Sequence, residues 1–131
     1  MHQTHHDAED INDEDLLLRR ITPSAHTAPQ ADGTRVLTSF AFRSPSNEFS
    51  MYVAKEVTRE KVLSCGIPTQ EIIEVRAGDV RKLGYMIVRE PDNCDASHVF
   101  AKARGPKSKG QVIKDCKALA EIVNSRRLPR S

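Results

Sequence analysis

The stretch Gly105-Pro106-Lys107-Ser108-Lys109-Gly110 concentrates more chemistry than any other part of this chain. Two glycines with four residues between them, two lysines and a hydroxyl stand just before a segment of helical period. Free backbone N–H groups and the positive end of a helix dipole attract an anion in such an arrangement. A nucleotide-hydrolysing phosphate loop needs Lys and then Ser or Thr after its second glycine. Gln111 and Val112 follow Gly110 instead, so that chemistry is excluded. Lys107, Ser108, Lys109 and Gly110 are the expected anion-binding loop, and Lys102, Arg104, Lys114 and Lys117 extend it into a basic surface suited to a polyanion such as nucleic acid. No aromatic residue is interleaved with these cations, so base stacking is not predicted.

His98 is the one histidine inside a predicted regular element, beside Ser97 and shortly after Asp92 and Asp95. A Ser-His-Asp set is arithmetically available, but neighbours on a strand point to opposite faces, so Ser97 and His98 cannot serve each other. His98 reads as a hydrogen-bonded residue at a strand start, with a catalytic or ligand role as the sharper alternative. His2, His5 and His6 have the spacing of a transition-metal cluster, but a flexible terminus preorganises them poorly and no metal site or cofactor is predicted. Cys65, Cys94 and Cys116 are an odd number without a CxxC pair. They predict neither a disulfide framework nor a thiolate zinc site, and the expected compartment is a reducing cytoplasm.

The elements that must position these residues come from one lean core. The chain has 131 residues, 38% of them hydrophobic and 5% aromatic, which fits one domain built mostly from Val, Ile, Leu and Ala. No apolar run approaches the length of a membrane helix, and the first residues are acidic where an export leader is basic and then apolar. Leu16–Ile21 predicts a first strand, and the Pro- and Ser-containing stretch 22–32 an exposed connection. Residues 34–43 alternate Val36, Thr38, Phe40 and Phe42 on one face, predicting a strand in a hairpin with 49–53. Thr58 predicts the cap of a short helix, followed by strands near 71–75, 85–88 and 97–101 and a short helix at 78–83. Val112, Cys116, Leu119, Ala120 and Val123 recur at helical spacing and predict a C-terminal amphipathic helix. The expected fold is α+β: an antiparallel sheet of about five strands covered by that helix.

Charge is polarised along the chain. The formal net charge is +2, yet residues 1–15 hold six acids and no Lys or Arg, leaving +8 on the remainder. Residues 102–130 hold nine cations and two acids. Low hydrophobicity and high like charge predict a disordered acidic tail over 1–15 and a single folded domain over 16–131.

Read in order, LLLRRITP, RVLTSFAF, FSMYVA, AGDVRKLG, REPD, ASHV and GPKSKG resemble the spaced blocks of a family of small uncharacterised bacterial proteins. Leu18 stands where that family has Tyr, and Leu37-Thr38-Ser39 where it has Pro-Ser-Ser. The resemblance implies a bacterial protein and transfers no activity. Separately, Arg19 or Arg20 followed by Thr38-Ser39 resembles the Arg and Ser-Thr-Ser strands of ADP-ribosyltransferases, in which Glu71 or Glu74 would complete the site.

Three functions follow as expectations. The leading one is a non-enzymatic binding module that contacts a polyanion, nucleic acid among them, through the basic C-terminal loop and helix. The second is an accessory subunit docking on another protein, and the third a small ADP-ribosyltransferase-like enzyme with Arg20, Ser39 and His98 converging in one cleft.

Overall fold

The computed structural model describes residues 6–127. Its strands are β1 (Leu16–Ile21), β2 (Thr27–Pro29), β3 (Arg35–Leu37), β4 (Phe49–Val53), β5 (Glu71–Arg76), β6 (Tyr85–Arg89) and β7 (His98–Ala103). Its helices are α1 (Pro23–His26), α2 (Arg59–Ser64), α3 (Ala77–Lys82) and α4 (Lys109–Arg127), with 3-10 turns at Ser39–Ala41 and Ala54–Glu56. Five strands form an antiparallel sheet in the order β5-β1-β4-β7-β6, and β2-β3 form a separate hairpin. The α+β architecture expected from the sequence is the one observed.

β1 lies inside the sheet and is buried on both faces, which is why Leu16-Leu17-Leu18 runs apolar without alternating. Leu17 faces the main core, where α4 contributes the predicted Val112, Cys116, Leu119, Ala120 and Val123. Leu18 faces the other side, where it packs with Tyr52 and with Val62 of α2. Thr58 caps α2 as expected, its hydroxyl accepting from Lys61 N at 3.1 Å.

The predicted strand over 34–43 does not form. The chain is extended only to Leu37, because Thr38 Oγ1 accepts from Phe40 N and turns residues 39–41 into a 3-10 helix. β3 therefore pairs with β2, inside the predicted connection, while β4 pairs with β1 and β7.

The acidic segment also differs from the disordered tail expected of it. Residues 7–15 lie along the body, while residues 1–5 fall outside the described residues. Ala8 N donates to Ile87 O at 2.8 Å and Ile87 N to Asp7 Oδ1 at 2.9 Å, closing the outer edge of β6. The carbonyls of Asp13 and Asp15 accept from Gly78 N and Ala77 N, two of the free donors at the start of α3. The segment passes so close that a Cβ on Gly78 would stand 2.9 Å from that of Asp13. Composition misleads here because the body supplies what the segment lacks. Arg81 and Arg104 pair with Asp7, Arg81 with Asp13, Arg89 with Asp10 and Lys55 with Asp15, and Ile11 enters the main core at 1% exposure.

Ile11→Ala is expected to lower unfolding stability by about 2–4 kcal/mol, the cost of emptying a core position. A urea titration checks this; a segment that merely solubilised the chain would leave the midpoint unchanged.

Candidate functional site

The loop that opens α4 does not present its cations as its sequence suggests. Lys107 turns inward, where its Nζ donates to Leu83 O at 2.7 Å and to Asp115 Oδ2 at 2.8 Å and sits 4.7 Å from the centroid of Tyr85. Tyr85 OH donates to the same carboxylate oxygen at 2.9 Å, and Gln111 Nε2 donates to Oδ1 at 3.0 Å. Burial opposes ionisation of Asp115, but the hydrogen bonds from Lys107, Gln111 and Tyr85 and the Lys107 charge outweigh it and hold the carboxyl below its usual range. Burial, reinforced by the bond to Asp115, pushes the Tyr85 phenol well above its ordinary value. The turn that accepts Lys107 is Gly84, at φ +94°, where a Cβ would lie 3.3 Å from Nζ.

Two other members of the predicted anion-binding set are engaged as well. Lys102 pairs with Glu90 at 3.1 Å and Glu48 at 3.7 Å, with its ammonium over Phe100. Arg104 pairs with Asp7 at 2.9 Å. Lys102, Arg104 and Lys107 are thus each paired with a carboxylate within the chain. Ser108 serves as the cap of α4, its hydroxyl accepting from Gln111 N at 3.1 Å. Lys109, Gly110 and Lys114 remain exposed, as does Lys117, and among the described residues these lysines form no ion pair.

A groove of about 290 Å³ runs from this helix start to the 3-10 turn, lined by Lys109, Val112 and Ile113 on one side and Phe40, Arg43 and Pro45 on the other. Phe40 is 55% exposed, and the Arg43 guanidinium stacks on its ring at 4.6 Å. The turn that presents them is fixed from below by Arg19. Its Nε donates to Ala41 O at 2.6 Å and its Nη1 to Ser50 O at 2.8 Å, between the rings of Phe42 and Phe49. Enclosure pushes the Arg19 pKa down to about 10, which leaves the group charged at neutral pH. Phe40 and Arg43 are hidden in the sequence because its alternation places Phe40 on the same strand face as Val36, Thr38 and Phe42. The signal available was Thr38-Ser39, two residues that favour caps and turns, with Arg43 three positions after Phe40.

Arg20, Ser39 and His98 do not converge. Arg20 lies on the α2 side of the sheet, its Nη1 donating to Val62 O at 2.9 Å and its guanidinium over Tyr52 at 5.5 Å. Ser39 sits in the 3-10 turn against α4, on the opposite face. Adjacent strand positions face opposite ways, so Arg20 and Ser39 lie on opposite faces of the sheet, while Arg19, on the Ser39 face, is taken up by the carbonyls of Ala41 and Ser50. His98 is buried, its ring between Tyr52 and Phe100 at 5.0 and 4.7 Å. Its Nδ1 donates to Glu90 O at 2.7 Å, and Nε2 lies 3.7 Å from Asp92 Oδ2. Tyr52 OH donates to that same oxygen at 2.7 Å, and burial followed by this bond pushes the phenol up to about 12. Asp92 Oδ1 accepts from Cys94 N and Asp95 N, both at 2.9 Å. The cluster pins the β6–β7 loop to the sheet.

That loop carries a second correction. Cys65 and Cys94 are joined in a disulfide, with Cα atoms 5.9 Å apart, and Cys116 is the buried free thiol. The odd count concealed one pair, because 29 residues of separation place one sulfur after α2 and the other in the loop beside it. His2 and His5 fall outside the described residues, and among the described residues no group of three or more His, Cys, Asp or Glu side chains is placed to hold a metal ion. No helix among them is long and apolar enough to cross a membrane.

No family model, curated protein or solved structure matches the chain.

Lys107→Ala is expected to destabilise the fold by about 2–3 kcal/mol at pH 7, below the full cost of orphaning a buried charge because the site is partly wet. Asp115 ionises more readily in the folded state, so its contribution is present above the ordinary carboxylate range and is lost as pH falls through the lowered folded value. The difference between wild type and variant, read from urea titrations at pH 7 and pH 3, is therefore expected to shrink in acid.

Proposed function

We propose that this chain is a binding module for single-stranded nucleic acid, taking a base on the Phe40 ring and phosphates on Arg43, Lys109, Lys114 and Lys117. The observation that carries the reading is the exposed Phe40 ring stacked with Arg43 and set beside Lys109. Aromatic faces accept any base, at about 1–3 kcal/mol each, while the cations track the backbone. Lys109, Ile113 and Lys117 follow one another at i+4 spacing on α4 with Lys114 alongside, so the positive charge continues from the groove along the helix. This keeps the polyanion expected from the sequence but moves its contact surface. Lys102, Arg104 and Lys107 leave it, and Phe40 and Arg43 join it.

Fluorescence anisotropy with a labelled oligo-dT and with labelled heparin, a polyanion without bases, tests the reading. Phe40→Ala is expected to weaken oligo-dT binding about 5- to 100-fold and to leave heparin binding unchanged. Lys109→Glu is expected to weaken both and to reduce the salt slope for the oligonucleotide by about one. Equal affinity of wild type and Phe40→Ala for oligo-dT would overturn the proposal.

A further inference from the structure

The Cys65–Cys94 bond stands at the surface beside two of the three large hydrophobic side chains that are exposed among the described residues. Leu63, at 36%, and Ile67, at 56%, lie two positions before and two after Cys65. Cys65 is itself exposed, whereas Cys94 is partly covered. An exposed half-cystine with exposed apolar residues two positions to either side in the chain is a place where another protein's thiol can both dock and react.

We propose that Cys65–Cys94 is a thiol–disulfide exchange site for a protein segment whose reactive cysteine is flanked by apolar residues. The partner thiolate attacks Cys65 Sγ and forms a mixed disulfide. The Cys65–Cys94 bond breaks, and its electron pair leaves on Cys94, which takes a proton from water. A second thiol of the partner then attacks the mixed disulfide and releases Cys65 reduced, so the partner dithiol is oxidised as this disulfide is reduced.

Three features of the site suit that sequence. The leaving sulfur is provided for: Cys94 Sγ lies 3.8 Å from Lys61 O, an acceptor for the thiol once formed. The Cys94 amide is held by Asp92 Oδ1 at 2.9 Å, so the loop keeps its turn when the sulfur leaves. Finally, both sides of the bond are held independently of it. Val62 anchors α2 in the cluster with Leu18 and Tyr52, its carbonyl accepting from Arg20, and Asp92 fastens the loop to Tyr52. The bond can open without releasing either element from the sheet.

The test uses the full chain and two synthetic peptides, one with Cys between leucines and one with Cys between serines, alongside dithiothreitol. Mass spectrometry with peptide mapping is expected to place the mixed disulfide on Cys65. The Leu-flanked peptide should react about five-fold faster or more, the effect of burying roughly one extra methylene or two. In Leu63→Ser/Ile67→Ser that preference is expected to vanish while the rate with dithiothreitol is unchanged. Adducts on Cys94, equal rates for the two peptides, or loss of the cooperative thermal transition on reduction would each overturn the proposal.

Discussion

A charged guanidinium enclosed without a carboxylate organises much of this molecule. Arg19 reaches from β1 across the main core, and two carbonyls and two aromatic faces take the place of a counter-ion. Such a group is costly to enclose unless its donors are met, so the partners are held in strict geometry. The partners are Ala41, in the 3-10 turn, and Ser50, in β4. Through them one side chain sets the height of the turn above the sheet. The turn in turn decides that Phe42 goes into the core while Phe40 stays outside it. The exposed ring of the candidate interface is thus a consequence of where a buried cation finds its acceptors.

The charge polarity of the chain resolves in a similar way. Acids near one end and cations near the other are answered mostly by the middle of the chain: Lys55, Arg81 and Arg89 take the acids, Glu48, Glu90 and Asp79 take Lys102 and Arg126, and Arg104–Asp7 joins the two ends directly. Asp7 collects Arg81, Arg104 and the amide of Ile87, which together overcome the cost of its burial and hold its carboxyl low. Lys107 is absorbed by Asp115 and Tyr85. Among the described residues, what remains uncompensated on α4 is a smaller set of exposed lysines, Lys109, Lys114 and Lys117.

The regular architecture was legible because its signals are local. The apolar stripe of α4, the cap at Thr58 and the strand runs at 16–21, 71–76 and 85–89 each report a face to be buried. The failures share a different cause. Alternation over 34–43 was a true pattern defeated by one hydroxyl, Thr38, that offered the backbone another bond. The acidic segment, the Cys65–Cys94 pair and part of the lysine pairing depend on partners tens of residues away: Asp7 to Arg104, Cys65 to Cys94, Lys102 to Glu48. A single sequence carries charge and residue type at each position but not which distant position answers it. The loop 105–110 was legible as the segment that opens α4, but the inward turn of Lys107 to Leu83 and Asp115 was not.

The strap formed by residues 7–15 also has a kinetic meaning. Its contacts join residues 7 and 8 to 81, 87 and 104, and residues 13 and 15 to the start of α3. Synthesis delivers residues 7–15 before the strands they contact, so their seat is complete only after β6 and β7 have been made. Contacts of such long sequence separation form late and are entropically the most expensive to close. Until then the outer edge of β6 is an open row of backbone donors and acceptors, the kind of edge on which a second chain can add. The order of synthesis therefore leaves a nascent molecule exposed at the edge that residues 7 and 8 later cover.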